Sequence, residues 1–343
     1  MAYISFQPKD YFNTKIYTGN GSAGHSITGV GFQPDWVWIK TRSDSNNHTI
    51  FDAVRGVTKR LRSNQDNAEN TSSGVTSFDS DGFTVGSDSA GNSGTMVSWN
   101  WKANGAGSAN TDGSINTTAT SVNTTAGFSI STYTGTGSNA TVGHGLGVVP
   151  NIVLVKSTSA QQHWCMYNSN LGNTSRLLLN LTNAVETSRS EWNSTTPTSS
   201  VFSVNNDDVV NGSSATYVAY CFAPIKGFSA MASYKGNGNV NGSFIYTGFS
   251  PAIIIAKKTS GVSDWIIWDN KRDGYNETIK RVYPNEPAPE ENSTTQGVDF
   301  LSNGFKLRGT SSNAWNASGG SYIYMAFAEE PFVASNGVAA TAR

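Results

Sequence analysis

The chain has 343 residues, of which only 14% are charged, and 23 Lys and Arg stand against 24 Asp and Glu for a formal net charge of -1. That balance excludes the basic footprint a nucleic-acid binder needs, and at about 150 residues per domain the length predicts two or three domains. No apolar run approaches the roughly 18 residues that span a bilayer, and two cysteines, Cys165 and Cys221, exclude a disulfide framework while leaving one bridge open.

Taken in chain order, MAYISFQPKD has neither a basic start nor a long apolar stretch, so residues 1–10 are expected to be an arm rather than a secretory signal. From Tyr17 the sequence reads YTGNGSAGHSITGVGFQPDWVWIK, and close relatives of that phrase return from Tyr133 and from Tyr234. Tyr17, Tyr133 and Tyr234 each precede a proline (Pro34, Pro150, Pro251) by 17 positions. Six residues after the prolines stand Lys40, Lys156 and Lys257, and 18 after them stand Asp52, Asn168 and Asp269, each preceded by an aromatic residue. This is an internal repeat of domain length, with a period near 100 to 116 residues.

Each copy predicts β structure, because abundant Asn, Ser, Thr and Gly compete with helical backbone bonds and favour turns. Residues 36–39, 152–155 and 253–256 are apolar on both alternating faces, which predicts a central strand buried on both sides. Gly31, Gly147 and Gly248 predict a tight turn into that strand. Asp81-Gly82 and Asn303-Gly304 carry a hairpin signal, with Asn205 to Asp208 assigned to the same slot in the second copy. Each copy then closes on an aromatic strand, residues 97–101, 218–222 and 323–327. The expected fold class is all-β, three tandem homologous β-sandwich modules of jelly-roll or lectin-like form. The expected organisation is an arm over 1–10, modules over 11–102, 127–226 and 227–332, a flexible polar linker over 103–126, and a tail over 333–343.

The chemistry-bearing residues are few. His25, His48, His144 and His163 show no zinc-ligand spacing, and no nucleophile elbow supports a Ser-His-Asp triad. Asp79 and Asp81 read as hairpin-shaping residues, and Glu286, Glu290 and Glu291 as solvated charge in a Pro-broken loop. The glycine phrases lack the Lys-Ser/Thr of a phosphate loop. The sequons at Asn47, Asn70, Asn139 and Asn180 are chance matches in so polar a chain. Neither a catalytic residue, a metal nor a cofactor is expected. Most tryptophans fall on strands, but Trp192 and Trp315 lie in polar, length-variable segments, where an exposed ring would stack on a sugar; they are the candidate glycan contacts.

The phrases TDGSINTTATSVNTTAGFSISTYTGTG, VGHGLGVVPNIVLVK, SYKGNGNVNGSFIYTGFSPA and SGGSYIYMAFAEEPF, with the opening YFNTKIYTGNG and the ending PFVASNGVAATAR, carry a family resemblance. The chain resembles, over nearly its whole length, a widespread family of tailed-bacteriophage proteins, common in marine phages, of virion or tail-fibre type. That resemblance implies a virion location and a non-enzymatic structural role on the tail or fibre, exposed for host adsorption. The implied partners are other virion proteins, further copies of the chain (a trimer in a fibre) and a host-surface glycan, without nucleic acid or membrane insertion. A head-decoration or tail-assembly protein docking through the arm or the tail is the alternative, and a depolymerase ranks last.

Overall fold

In a computed structural model covering residues 7–309 and 315–331, the regular secondary structure is almost entirely antiparallel β. The arm's first six residues and the tail from residue 332 lie outside the described residues, whereas Pro8–Asp10 forms a single 3-10 turn.

The first segment contains β1 (Phe12–Asn20), β2 (His25–Thr28), β3 (Trp36–Thr41), β4 (Thr49–Asp52), β5 (Gly56–Leu61), β6 (Asn70–Thr71), β7 (Ser77–Asp79), β8 (Gly82–Val85), the short α1 (Ser89–Asn92) and β9 (Ser93–Trp101). The second contains β10 (Ala119–Asn123), β11 (Phe128–Thr134), β12 (Ala140–Gly143), β13 (Ile152–Ser157), β14 (Cys165–Asn168), β15 (Ser175–Leu178), β16 (Glu186–Thr187), β17 (Val201–Val204), α2 (Asp208–Asn211) and β18 (Thr216–Phe222). The third contains β19 (Ser229–Lys235), β20 (Phe244–Tyr246), β21 (Phe249–Lys258), β22 (Trp265–Asp269), β23 (Lys280–Arg281), β24 (Glu291–Asn292), β25 (Val298–Leu301), β26 (Gly304–Leu307) and β27 (Ser321–Pro331).

One strand order recurs. The large sheets contain β1-β9-β3-β4, β11-β18-β13-β14 and β19-β27-β21-β22, so that the proline-led strand always lies between the closing aromatic strand and its own hairpin partner. A smaller pairing recurs beside each: β2 with β8, β12 with β17, and β20 with β26. The proline-led strands are buried on both faces, as the apolar runs predict; every residue of β3 and of β13 is buried. In the first segment Val37, Ile39 and Phe51 face Ile27, Phe83 and Val85 of the small sheet, giving a sandwich-type packing.

The opposite faces of the three large sheets meet one another in a single apolar cluster. Trp36, Trp38, Trp99 and Trp101 of the first pack with Ile152, Tyr220 and Phe222 of the second and Ile253, Ile255 and Phe327 of the third. Trp36 stacks on Tyr220 with ring centroids 4.8 Å apart, and Phe327 lies 5.5 Å from Trp101 and 5.8 Å from Phe222. The void left where they converge is about 10 Å³, lined by Trp36, Leu154, Ile255 and their neighbours from all three sheets. An apolar space that small offers no partners for a water molecule, so the centre is a closed core rather than a channel.

Hydrogen bonds at the junctions repeat in cyclic order. Trp164 Nε1 donates to the carbonyl of Arg62 in the first segment at 2.8 Å, and Trp265 Nε1 to the carbonyl of Leu178 in the second at 3.0 Å. His48, at the same distance before Asp52 as those tryptophans before Asn168 and Asp269, completes the cycle with Nε2 3.0 Å from the carbonyl of Tyr283. A carbonyl only accepts, so Nε2 carries the proton, and Nδ1 accepts from Trp38 Nε1 at 2.9 Å. Asn64, Asn180 and Asn285 each accept, through Oδ1, from the backbone N–H of His48, Trp164 and Trp265.

Two stretches depart from expectation. Residues 103–126, read from composition as a flexible linker, contribute β10 to the second sheet, bury Ile115 and Thr117, and bridge in parallel from Ile115 to Val142. Asn205 to Asp208 do not form the counterpart of the first and third hairpins; they follow β17, and Asp207 caps α2 by accepting from Val209 N, as Asp88 caps α1. The two cysteines are both free, because Cys165 and Cys221 lie on the two strands flanking β13, opposite Val155 and Val153 respectively.

Candidate functional site

The two tryptophans expected to contact glycan present no ring face to solvent. Trp192 and Trp315 are each 1% exposed. Trp192 packs edge-on against Tyr167 at 5.8 Å, and Trp315 packs edge-on against Trp268 at 5.1 Å with the Arg281 guanidinium over it. Polar neighbours in sequence hid this, because each loop folds back and uses its one large apolar side chain as the plug.

The other candidates resolve into structure as well. Asp81 accepts from Gly29 N and Gly31 N at 2.9 and 2.7 Å, tying the hairpin tip to the glycine turn, and those two bonds hold its carboxyl below the usual range. Asp79 accepts from Ser77 and Thr84 within the hairpin. His144 is buried, with Nε2 near the Thr198 carbonyl and Nδ1 accepting from Leu146 N; His25 Nδ1 meets Asn92. Glu290 is not solvated charge, whereas Glu291 stays exposed as expected. Glu290 takes a bidentate pair from Arg42 at 2.8 and 2.9 Å, joining the third segment to the first, and Glu291 pairs with Arg281. Among the described residues no group of three or more His, Cys, Asp or Glu is placed to hold a metal ion.

An accessible concave site lies on the third segment, and no sequence signal beyond its aromatic residues points there. Strand β20 alternates as β structure requires, with Ile245 inward and Phe244 and Tyr246 outward. The two outward rings are 48% and 63% exposed. Register sets two cross-strand rows on that outer face: Phe244, Lys306, Asp299 and Tyr246, Gly304, Leu301. Gly304 is obligatory, since a Cβ there would stand 2.1 Å from the Ile245 carbonyl oxygen. Beside these rows the described residues leave a cleft of about 870 Å³ whose walls include Asn241, Glu277, Thr294, Thr295, Asp299 and Arg308. Arg308 Nε donates to Asp299 Oδ2 at 2.6 Å, so the cleft's cation and one carboxylate neutralise each other. Glu277 is seated over Gly297, where a Cβ would meet its Oε1 at 2.0 Å, and burial raises its carboxyl pKa.

The corresponding outer positions of the other two small sheets carry no aromatic residue. Aligned on the strand register, Ser26 and Thr28 occupy them in the first segment and Thr141 and Gly143 in the second. The pattern could have been found in the sequence only by aligning the copies through β20, which is too short and too divergent to align without coordinates.

A family model matches residues 7–331, and its description is Domain of unknown function (DUF7483). No curated protein and no solved structure matches.

Proposed function

We propose that this chain, which belongs to that family of unknown function, is a non-enzymatic structural protein of a tailed-bacteriophage virion, displayed on the tail or fibre and contributing to host adsorption. One observation carries the reading: the inner faces of the three large sheets form one shared core, while the outer faces of the small sheets differ from copy to copy. A scaffold with one shared interior and variable rims suits a surface that must persist outside a cell and still vary in what it contacts. Low charge and a polar Asn/Ser/Thr/Gly surface favour the same role, and the sequence resemblance described above supports the particle.

The alternative, a head-decoration or tail-assembly protein touching only other virion proteins, is favoured by Val148 and Val149. These adjacent apolar residues are 47% and 46% exposed in the turn before Pro150. Immunogold electron microscopy of purified particles with antibody against the chain separates the readings. Label along the tail or fibre is expected, label on the head shell selects the alternative, and absence of the chain from purified particles overturns both.

A further inference from the structure

We infer that the outer face of β20, β26 and β25, with the cleft beside it, is a binding platform for a neutral oligosaccharide. The inference deepens the display reading and rests on it only for the biological setting. Phe244 and Tyr246 are two residues apart on one strand, so their Cα atoms stand about 6.8 Å apart and the rings offer two neighbouring apolar plates. That spacing suits consecutive pyranose rings, whose C–H faces pack on aromatic rings while their edges carry hydroxyls. Gly304 keeps the floor between Tyr246 and Leu301 free of a side chain. Asn241, Thr294, Thr295 and the Asp299–Arg308 pair supply amide, hydroxyl and ionic groups at the rim, the donor and acceptor mixture that hydroxyl groups need.

Charge selects the class of sugar. Across the platform and the cleft the cations Arg308 and Lys306 balance the carboxylates Asp299 and Glu277, with Asp299 and Arg308 already paired, so an acidic sugar gains no net attraction there. A purely protein-binding face would be expected to repeat at Ser26/Thr28 and Thr141/Gly143 if it served the packing of copies, whereas the two exposed rings occur on this sheet alone among the three.

The test uses the full chain on a printed array of neutral hexose, N-acetylhexosamine and uronic-acid oligosaccharides, with Phe244→Ala, Tyr246→Ala and, as a control on the first small sheet, Ser26→Ala. Both aromatic side chains are largely outside the core, so the variants are expected to keep the wild-type denaturation midpoint. Binding to neutral members, weakened about tenfold or more by each aromatic variant and unchanged by Ser26→Ala, is the expected result. No binding by the wild type, binding confined to uronic acids, or neutral binding indifferent to both variants overturns the inference. Particle labelling as above is unaffected by any of these outcomes, so the display reading stands or falls separately.

Discussion

At the scale of single residues, the repeated glycines are fixed by contact. A Cβ on Gly19, Gly135 or Gly236 would stand 2.2, 2.2 or 2.4 Å from backbone atoms of the loop carrying Asn92, Asn211 or Asn316. Those three asparagines hold the glycine turns in return: Oδ1 of each accepts from the backbone N–H of Asn20, Thr136 or Asn237. Gly135→Ala is therefore expected to lower stability by about 1–3 kcal/mol, as overpacking does, read as a reduced urea midpoint at constant slope. The buried carboxylates at the junctions act alike. Asp52 binds Arg55 at 2.6 Å and accepts from Tyr220 of the second segment; Asp269 binds Arg272 at 2.6 Å and accepts from Trp99 of the first. At the third junction all three roles change together, to Asn168, Leu171 and Met325, a neutral set without an ion pair or an aromatic donor. Asp52→Asn leaves the Arg55 guanidinium, 3% exposed, without its main counter-charge; a loss of about 3–5 kcal/mol is expected from chemical denaturation.

At the scale of elements, the three proline-led strands share a buried lysine. Lys40 donates to the carbonyls of Thr41 and Asp44, Lys156 to those of Ser157 and Asp66, and Lys257 to those of Thr182, Lys258 and Ser263. Two of these contacts cross between segments, since Asp66 belongs to the first and Thr182 to the second. Burial lowers each amine to about 8 from 10.5. A folded pKa below the unfolded one means that the unfolded chain holds more protons between about pH 8 and 10, so stability rises with pH across that window. Above about pH 10 the slope reverses, because burial holds the hydroxyls of Tyr133, Tyr220 and Tyr234 well above their usual value and only the unfolded chain ionises them. On the acid side, buried neutral His48, whose pKa burial pushes well below 6.5, makes stability fall as pH drops through that value. Urea midpoints at pH 5, 7.5, 9.5 and 11 check the curve, which is expected to peak near 9.5.

For the whole molecule, the shared core decides cooperativity. Trp36 of the first segment packs on Tyr220 and Phe222 of the second, Phe327 of the third packs on Trp101 and Phe222, and Arg42–Glu290 crosses from first to third. Separating one segment would expose that apolar face, so the three are expected to unfold in one transition despite the length. Scanning calorimetry with calorimetric and van't Hoff enthalpies in agreement is the expected result; two or three resolved transitions would show segments that fold alone.

The sequence by itself determined the all-β class, the registers of the repeated phrase and the double-sided burial of residues 36–39, 152–155 and 253–256, because alternation, glycine turns and proline position are local properties of the chain. It also marked Lys40, Lys156 and Lys257 as equivalent without saying that their amines end on carbonyls. Tertiary structure alone decided that residues 103–126 are built into the second sheet, that Trp192 and Trp315 are plugs, that His48, Trp164 and Trp265 each reach a carbonyl of a neighbouring segment, and that Phe244 and Tyr246 stay in solvent. Each of those depends on which surfaces meet when separate strands and loops pack together, and burial of an aromatic side chain is a property of its neighbours rather than of its own sequence context.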